Sequence, residues 1–486
     1  MCDTYTSIDN SKVTVSPSRQ LKGSLGVTSI VLMVIAAAGP LGVVAVNTPT
    51  LIAIGNGGAA PFDALVATAI MLLFVVGFVA MSKCVDNAGA FYTYIQKGLG
   101  RKVGLGSATL ALVSYFLILL AIEAYLGCAL RDMVRYWTGI EIAWWVYTLC
   151  VVAIIGLLGY RHIELSSRFL GVALLLEILL VVVVDAAVII GNGGTLDTTA
   201  FSPQVITSGS PGLGILFAVY CFVGLESTVI FKEEARDPDK TIPRATYASV
   251  LIIGAIYALS MWCLVDGYGV AQVKQAAIVN PAHLYHELTS KVVGVVARDL
   301  VEVLLVTSLF ACALSFHNVI VRYQYVMGRF GVLSGHLASV HKYHGAPHVS
   351  SFVQTATSAV TLLVFLLLGV DPVTQIYAWG ATAGTLGYMV LLCLTCISVV
   401  LFFRNKAIGG SRWHTCIAPV GALIGLAICL WIALENLPDL IGGEGAYALA
   451  IAMVVVVMAG FAFGYLVAAS FKRWAPLRFE GLKGLA

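Results

Sequence analysis

Twelve apolar stretches of roughly 18 residues or more recur along this chain, near residues 25–48, 61–82, 104–130, 142–160, 168–190, 212–231, 245–266, 296–321, 350–369, 373–403, 414–435 and 446–471. Each is long enough to cross about 30 Å of hydrocarbon as a single helix. Within a bilayer every backbone N–H and C=O must find a partner inside the protein, so such stretches span as helices. The composition agrees. Charged residues make up 11% of the chain, against about 25% in an average soluble protein, and mean hydropathy is +0.94. That is too little polar material for a water-facing surface. A soluble globule is excluded, and the expected class is an all-α polytopic protein of twelve transmembrane helices embedded in a lipid bilayer.

The net charge of +3 conceals an asymmetry. Basic residues gather at alternate ends of the spans: Lys12, Arg19 and Lys22 before the first, Lys83, Lys97, Arg101 and Lys102 between the second and third. Lys232, Arg236, Lys240 and Arg244 follow the sixth, Arg322, Arg329 and Lys342 the eighth, and Arg404, Lys406 and Arg412 the tenth. Lys472, Arg473, Arg478 and Lys483 close the chain. The opposite loops hold Arg131, Arg135, Lys274, Lys291 and Arg298. Basic residues stay on the cytoplasmic side, so both termini are expected there, in a multi-pass protein of the plasma (inner) membrane. Topology accounts for the bias, and no nucleic-acid partner is expected. The polar first 24 residues lead straight into a full-length span, so no cleavable signal peptide is expected. The eleven cysteines are scattered, several within spans (Cys150, Cys221, Cys263, Cys312, Cys393, Cys396), and read as small buried hydrophobes. No metal and no cofactor is expected.

Two of the spans are interrupted, about 185 residues apart. The first carries Ala36-Ala37-Ala38-Gly39-Pro40-Leu41-Gly42 and the sixth Val219-Tyr220-Cys221-Phe222-Val223-Gly224-Leu225-Glu226-Ser227. Loose backbone survives in hydrocarbon only where it lines a cavity or meets a ligand. Paired interruptions at matching places in two halves therefore point to a substrate site near the midplane. Spans 1–5 and 6–10 share one layout, a broken span first and a basic connection before the third helix. An odd number of spans per copy inverts the second copy, giving a 5+5 inverted repeat with two extra helices. The expected layout is a cytoplasmic tail at 1–24, a first five-helix repeat at 25–190 and an external loop at 191–211. A second repeat follows at 212–403, then helices 11 and 12 within 404–471 and a cytoplasmic tail at 472–486. Helices 11 and 12 serve equally as the face of a homodimer or as a shield for a monomer. Gly380, Ala383, Gly384 and Gly387 form a small-residue face in span 10, expected to pack closely on a neighbouring helix.

Three further motifs carry a resemblance. The run Glu233-Glu234-Ala235-Arg236-Asp237-Pro238-Asp239-Lys240-Thr241-Ile242-Pro243-Arg244-Ala245 resembles a signature of amino acid permeases in the amino acid–polyamine–organocation superfamily. Asn87-Ala88-Gly89-Ala90-Phe91-Tyr92-Thr93-Tyr94 with Gly98-Leu99-Gly100 resembles that family's segment between spans 2 and 3. His317-Asn318, Arg322-Tyr323 and Gly328-Arg329-Phe330-Gly331-Val332-Leu333 resemble the end of its span 8. Together they cover about residues 25–405. The resemblance implies a leucine-transporter-like fold and secondary active transport of an amino acid or related amine. Two departures stand out. The span 1 break contains Pro40, which has no N–H, and span 5 lacks the Lys some relatives use for coupling, holding Glu177 and Asp185 instead.

The substrate-binding candidates are Ala37, Ala38, Gly39 and Gly42 in the first break and Tyr220, Phe222, Gly224 and Glu226 at the second. Free amides and a half-helix dipole can hold a carboxylate, and the resemblance places an aromatic lid at Tyr220. A simple kink from Pro40 and ordinary core packing of the aromatics are the bland alternatives. Glu226 is the leading proton-coupling candidate, because a carboxylate inside a span costs about 2.5–3.5 kcal/mol and must face a cavity or a partner; a fixed hydrogen bond joining broken helices is its structural alternative. Glu177 ranks second. Glu123, Asp185 and Glu302 are the remaining intramembrane acids on this reading, the last two expected near the solvated outer interface. Ser308, Cys312 and Ser315 share a face of span 8 that reads as packing. His317 and Asn318 read as structural, and His336, His341, His344 and His348 as a solvated loop. No H-E-x-x-H, G-x-S-x-G or phosphate-binding Gly loop is present, so an enzyme is not expected. No repeated selectivity-filter loop or charged ring suggests a channel. The expected function is import of an amino acid or small amine by alternating access, coupled to protons as symport, with obligate exchange as the alternative.

Overall fold

A computed structural model describes residues 25–85, 90–161, 167–230, 232, 235–343, 346–406, 411–438 and 445–485, without the side chains of residues 36, 37, 90, 167–170, 230, 405, 406, 446, 484 and 485. The tail 1–24 and the motif residues Asn87, Ala88, Gly89, Glu233, Glu234 and His344 lie outside it. The described residues are almost wholly helical. Ten helices are long and apolar enough to cross a membrane, and two shorter apolar helices, Trp144–Tyr160 and Pro211–Tyr220, stand where the fourth and sixth spans were expected. The protein is a multi-pass membrane protein.

The first span is two helices. α1, Val27–Ala38, stops at Gly39, whose φ of 60° lies in the left-handed region that only glycine enters freely. α2 restarts at Pro40, favoured at a helix's first position because its missing N–H has no partner to lose. It runs through Pro40–Gly42, a π-helical turn at Val43–Asn47 and Thr48–Ile54. α3 (Ala60–Ser82), the short α4 (Ala90–Leu99) and α5 (Arg101–Thr138) follow. At 1.5 Å per residue α5 is about 57 Å long, and it is the axis of the bundle. α6 (Trp144–Tyr160) and α7 (Ser167–Gly191) end the first half.

The second half opens on α8, Pro211–Tyr220. Helix is lost from Cys221 to Glu226, where Gly224 takes a φ of 100°, and resumes as the single turn α9, Ser227–Ile230. α10 (Pro238–Tyr268), the short α11 (Val273–Val279) and α12 (Leu284–Val292), then α13 (Val295–Arg329) come next. α14 is His348–Leu367. A second π-helical turn, Pro372–Tyr377, leads into α15, Ala378–Lys406. α16 (Ala418–Glu435), α17 (Ala446–Trp474) and α18 (Pro476–Gly481) complete the chain.

α5 packs against α4, α6, α13, α15 and α17, whereas α10 lies against α1 and α3. Asn47 joins the two broken spans: its Nδ2 donates to the Phe217 carbonyl at 3.0 Å and contacts Cys221 Sγ at 3.3 Å. Lys232, immediately before the motif that follows the sixth span, donates to the carbonyls of Ser82 (2.7 Å) and Val85 (2.8 Å), capping the end of α3. Nearby, Arg236 N–H donates to the Leu25 carbonyl, tying the start of α1 to the same loop. Leu175, Leu179, Phe352, Trp431 and Leu466 are exposed around the bundle. An apolar perimeter of this kind suits lipid rather than water.

Candidate functional site

The two breaks face a single cavity. Ala38, Gly39 and Gly42 reach it from the first span with Val43 and Val46 of the π-helical turn, and Tyr220 reaches it from the end of α8. Ile122 of α5, Ser308, Leu309 and Cys312 of α13, and Tyr377 of the second π-helical turn complete the wall. α13 comes within ordinary contact distance of both glycines. A Cβ at Gly39 would lie 3.5 Å from Ser308 Oγ, and one at Gly42 3.4 Å from a Leu309 methyl. The hydroxyls of Tyr220 and Tyr377 lie near each other at the cavity, and the Tyr377 ring meets Tyr125 edge-on at 5.3 Å. The enclosed space is about 30 Å³, room for about two waters and too little for an amino acid.

Of the residues proposed from sequence, Ala38, Gly39, Gly42 and Tyr220 come together here. Ala37 is placed in α1, but its side chain is not described. Phe222, Gly224 and Glu226 do not line the cavity. Phe222 is buried, and its carbonyl accepts from Tyr388 Oη at 3.1 Å. Glu226 is buried behind the unwound loop and saturated by donors. Tyr115 Oη of α5 donates to its Oε1, while Tyr388 Oη of α15 (3.3 Å) and the Gly224 N–H (3.1 Å) donate to Oε2. One carboxylate thus joins α5, α15 and the break.

Glu177 takes the more central place. Its Oε2 accepts from Ser308 Oγ at 2.9 Å, and the Leu41 backbone N–H of the first break lies near it. Ser308 lines the cavity, so this α7 carboxylate sits one side chain behind the wall, touching both the break and α13.

The other acids correct the sequence reading. Asp63 in α3, omitted from the set of intramembrane acids, is fully buried and accepts from Asn56 Nδ2 at 3.1 Å. Asp185 and Glu302, expected at a solvated interface, are buried: Ser260 donates to Asp185 at 2.6 Å and Arg298 to Glu302 at 3.5 Å. Glu123 is buried against Ser358 of α14. On the span 8 face, Ser308 and Cys312 reach the cavity and Ser315 is exposed. His317 sits 3.1 Å from Ser351 Oγ, a packing contact between α13 and α14. The rings of His341 and His348 lie 5.3 Å apart beside Tyr160. Among the described residues no three His, Cys, Asp or Glu side chains group as a metal site. Tyr115, Tyr388, Tyr377 and Asn47 were not foreseen. Asn47 carried a signal, being a lone amide in an apolar run; the tyrosines look like ordinary span aromatics.

Comparison with known proteins is consistent along the chain. The amino acid permease family model matches residues 29–476. The low-affinity putrescine importer PlaP of Escherichia coli (strain K12) is 23% identical over 454 residues, covering 88% of this chain and 93% of that protein. The branched-chain amino acid permease BcaP of Bacillus subtilis (strain 168) is 23% identical over 450 residues, covering 88% and 91%. A probable GABA permease of Pseudomonas aeruginosa is 23% identical over 221 residues, covering 43% and 46%.

Proposed function

The chain belongs to the amino acid permease family, whose members are transporters and not enzymes, and from that premise we propose a proton-coupled importer of an amino acid or small amine. The fold proposed is the twelve-helix, leucine-transporter-like arrangement, with the 5+5 repeat dividing at the loop 191–211 and both termini cytoplasmic. The two shorter helices then serve as the fourth span and as half of the sixth. Names of relatives support the substrate class: one imports putrescine, another carries branched-chain amino acids. The cavity wall is mostly apolar, from Val43, Val46, Ile122 and Leu309, which suits an aliphatic substrate body.

The observation that carries the reading is Glu177, which bridges the first break and α13 beside a cavity enclosed by both breaks. Coupling requires that one ligand bind two conformations differently. Protonating Glu177 weakens its interaction with Leu41 and Ser308, and so changes the cost of separating the broken span from α13. Glu226 holds the second break to α5 and α15, and is assigned the supporting role of setting how easily that break moves.

Proteoliposomes loaded at neutral pH and diluted into acidic buffer test this, with radiolabelled putrescine and leucine as probes. The wild type accumulates one of them against its gradient, and Glu177→Gln loses accumulation by about tenfold or more while retaining exchange of internal for external substrate. Exchange alone in the wild type, indifferent to the pH gradient, would replace the symport reading with obligate antiport. Transport of neither probe under any gradient would remove the substrate assignment.

A further inference from the structure

A second cavity lies at the Thr138 end of α5, beyond the contact of Tyr125 with Tyr377. It is lined by Tyr125, Asp132, His283, His286 and Glu302, with Cys128, Ala129, Ala282 and Leu305 filling the gaps. Tyr125 lies between the two: its ring packs on Tyr377 of the central cavity, and its hydroxyl reaches the Ala282 carbonyl at 3.5 Å. The two cavities are thus neighbours separated by an aromatic pair.

Charged groups of both signs meet around this cavity. Asp132 and Glu302 line it, and the guanidiniums of Arg131 and Arg298 stand beside them. Asp132 accepts from Arg131 Nε at 2.8 Å and stands 3.6 Å from His283 Nε2. Glu302 is 3.5 Å from Arg298 Nη2, and that guanidinium also stacks 3.8 Å from the Tyr136 ring centroid. Each lining carboxylate thus has one guanidinium partner and keeps acceptor lone pairs for a further donor. His286 adds an independent sign. It is 6% exposed, it lines the cavity, and its Nδ1 has no hydrogen-bond partner among the described residues. Burial holds this imidazole's pKa down to about 3, so it is neutral at physiological pH and can offer a lone pair to a donor. The volume is about 20 Å³, which admits one water-sized group. An ammonium head has that size and carries three donors, and the Tyr125 face adds a cation–π surface.

We propose that this cavity is a second binding site, for the ammonium group of a small amine, held before it passes Tyr125 into the central cavity. The proposal rests on the transport reading only for that last step; the site itself is defined by its own groups. Occupancy at both places makes binding stoichiometry the direct test. Equilibrium binding of radiolabelled putrescine to the purified, detergent-solubilised protein should saturate at two per chain. Asp132→Asn/Glu302→Gln should reduce this to one, and Cys312→Phe, which fills the central cavity, should leave the outer site and also bind one. Valerate, which has no ammonium, should bind at neither. If the double variant fails to fold, Glu302→Gln alone carries the comparison, with about a tenfold weaker second affinity expected, equivalent to about 1.4 kcal/mol. A single putrescine per wild-type chain, abolished by Cys312→Phe and untouched by the acid variants, overturns the outer site and leaves the central one standing. A single putrescine lost in the acid variants but kept in Cys312→Phe supports the outer site and counts against the central reading.

Discussion

Glu226 shows how a sequence can mark a residue without marking its surroundings. Its charge inside a broken span marked it, yet it faces three donors rather than the cavity. Hydrogen bonds to a charged group contribute about 1.5–3 kcal/mol, and deleting one partner strands the rest. Tyr115→Phe should therefore lower stability by about 1.5–3 kcal/mol, read as the unfolding midpoint in detergent, with Tyr388→Phe smaller because its contact is longer. Both variants should keep substrate affinity within about twofold, since neither residue lines the cavity. A large loss of affinity with unchanged stability would return Glu226 to the binding site. Sequence could mark the residue but not its direction: a side chain in unwound backbone has no helical period to say which way it faces. Glu177 shows the converse. It lies on a regular helix, and what raised its importance is the partner across the bundle, a long-range fact that no local pattern holds.

At the scale of elements, most spans were legible because an apolar run of bilayer length admits one structure. The breaks were legible too, from Gly39 next to Pro40 and from Gly224. The π-helical turns at Val43–Asn47 and Pro372–Tyr377 were not. One extra residue in a turn changes neither hydropathy nor propensity, yet these two turns deliver Val43, Val46 and Tyr377 to the cavity, in keeping with the frequent use of π-bulges at sites. The small-residue face of α15 behaves as its spacing suggests. A Cβ at Gly384 would come 2.5 Å from Ile118 Cγ1 and 2.8 Å from the Ser114 carbonyl oxygen of α5, and the backbone oxygen cannot step aside as a side chain can. Overpacking of this kind costs about 1–3 kcal/mol, so Gly384→Ala should lower the unfolding midpoint. Gly171, with nothing within 4 Å of the added atom, is the control. There alanine should be neutral or stabilising by about 0.4–1 kcal/mol, through lost freedom of the unfolded chain.

The whole molecule is closed on itself at the Arg101 end of α5, where a plain tail was expected from residue 472 onward. Instead α18 folds back across the bundle. Arg101 grips Glu480 with both nitrogens (2.8 and 3.2 Å), donates to the Phe479 carbonyl at 3.2 Å and lies 4.9 Å from the Phe479 ring centroid. Gln96 Nε2 donates to the Leu482 carbonyl at 2.8 Å. Leu482 itself is fully buried among Leu105, Ala108, Met327, Val332 and Ala468, so the last turn bridges α5, α13 and α17. Two kinds of force hold this clamp, and their magnitudes rank them. The carboxylate of Glu480 is exposed, and water screens its pairing however good the geometry. Burial of Leu482 is not screened, and Leu→Ala in a core costs about 2–5 kcal/mol. Leu482→Ala should therefore destabilise the protein more than Arg101→Ala does, and truncation before Pro476 should resemble the leucine variant. The ionic part has its own signature. Arg101 and Lys483 hold the Glu480 carboxyl down to about 2. A depressed folded-state value means that its contribution is complete above the ordinary carboxylate range and fades as pH falls toward 2. Between pH 5 and 8 the midpoint difference between wild type and Arg101→Ala should stay constant. A difference that varies across that interval, or an arginine variant less stable than the leucine one, would mean that charge rather than packing holds the end of the chain in place.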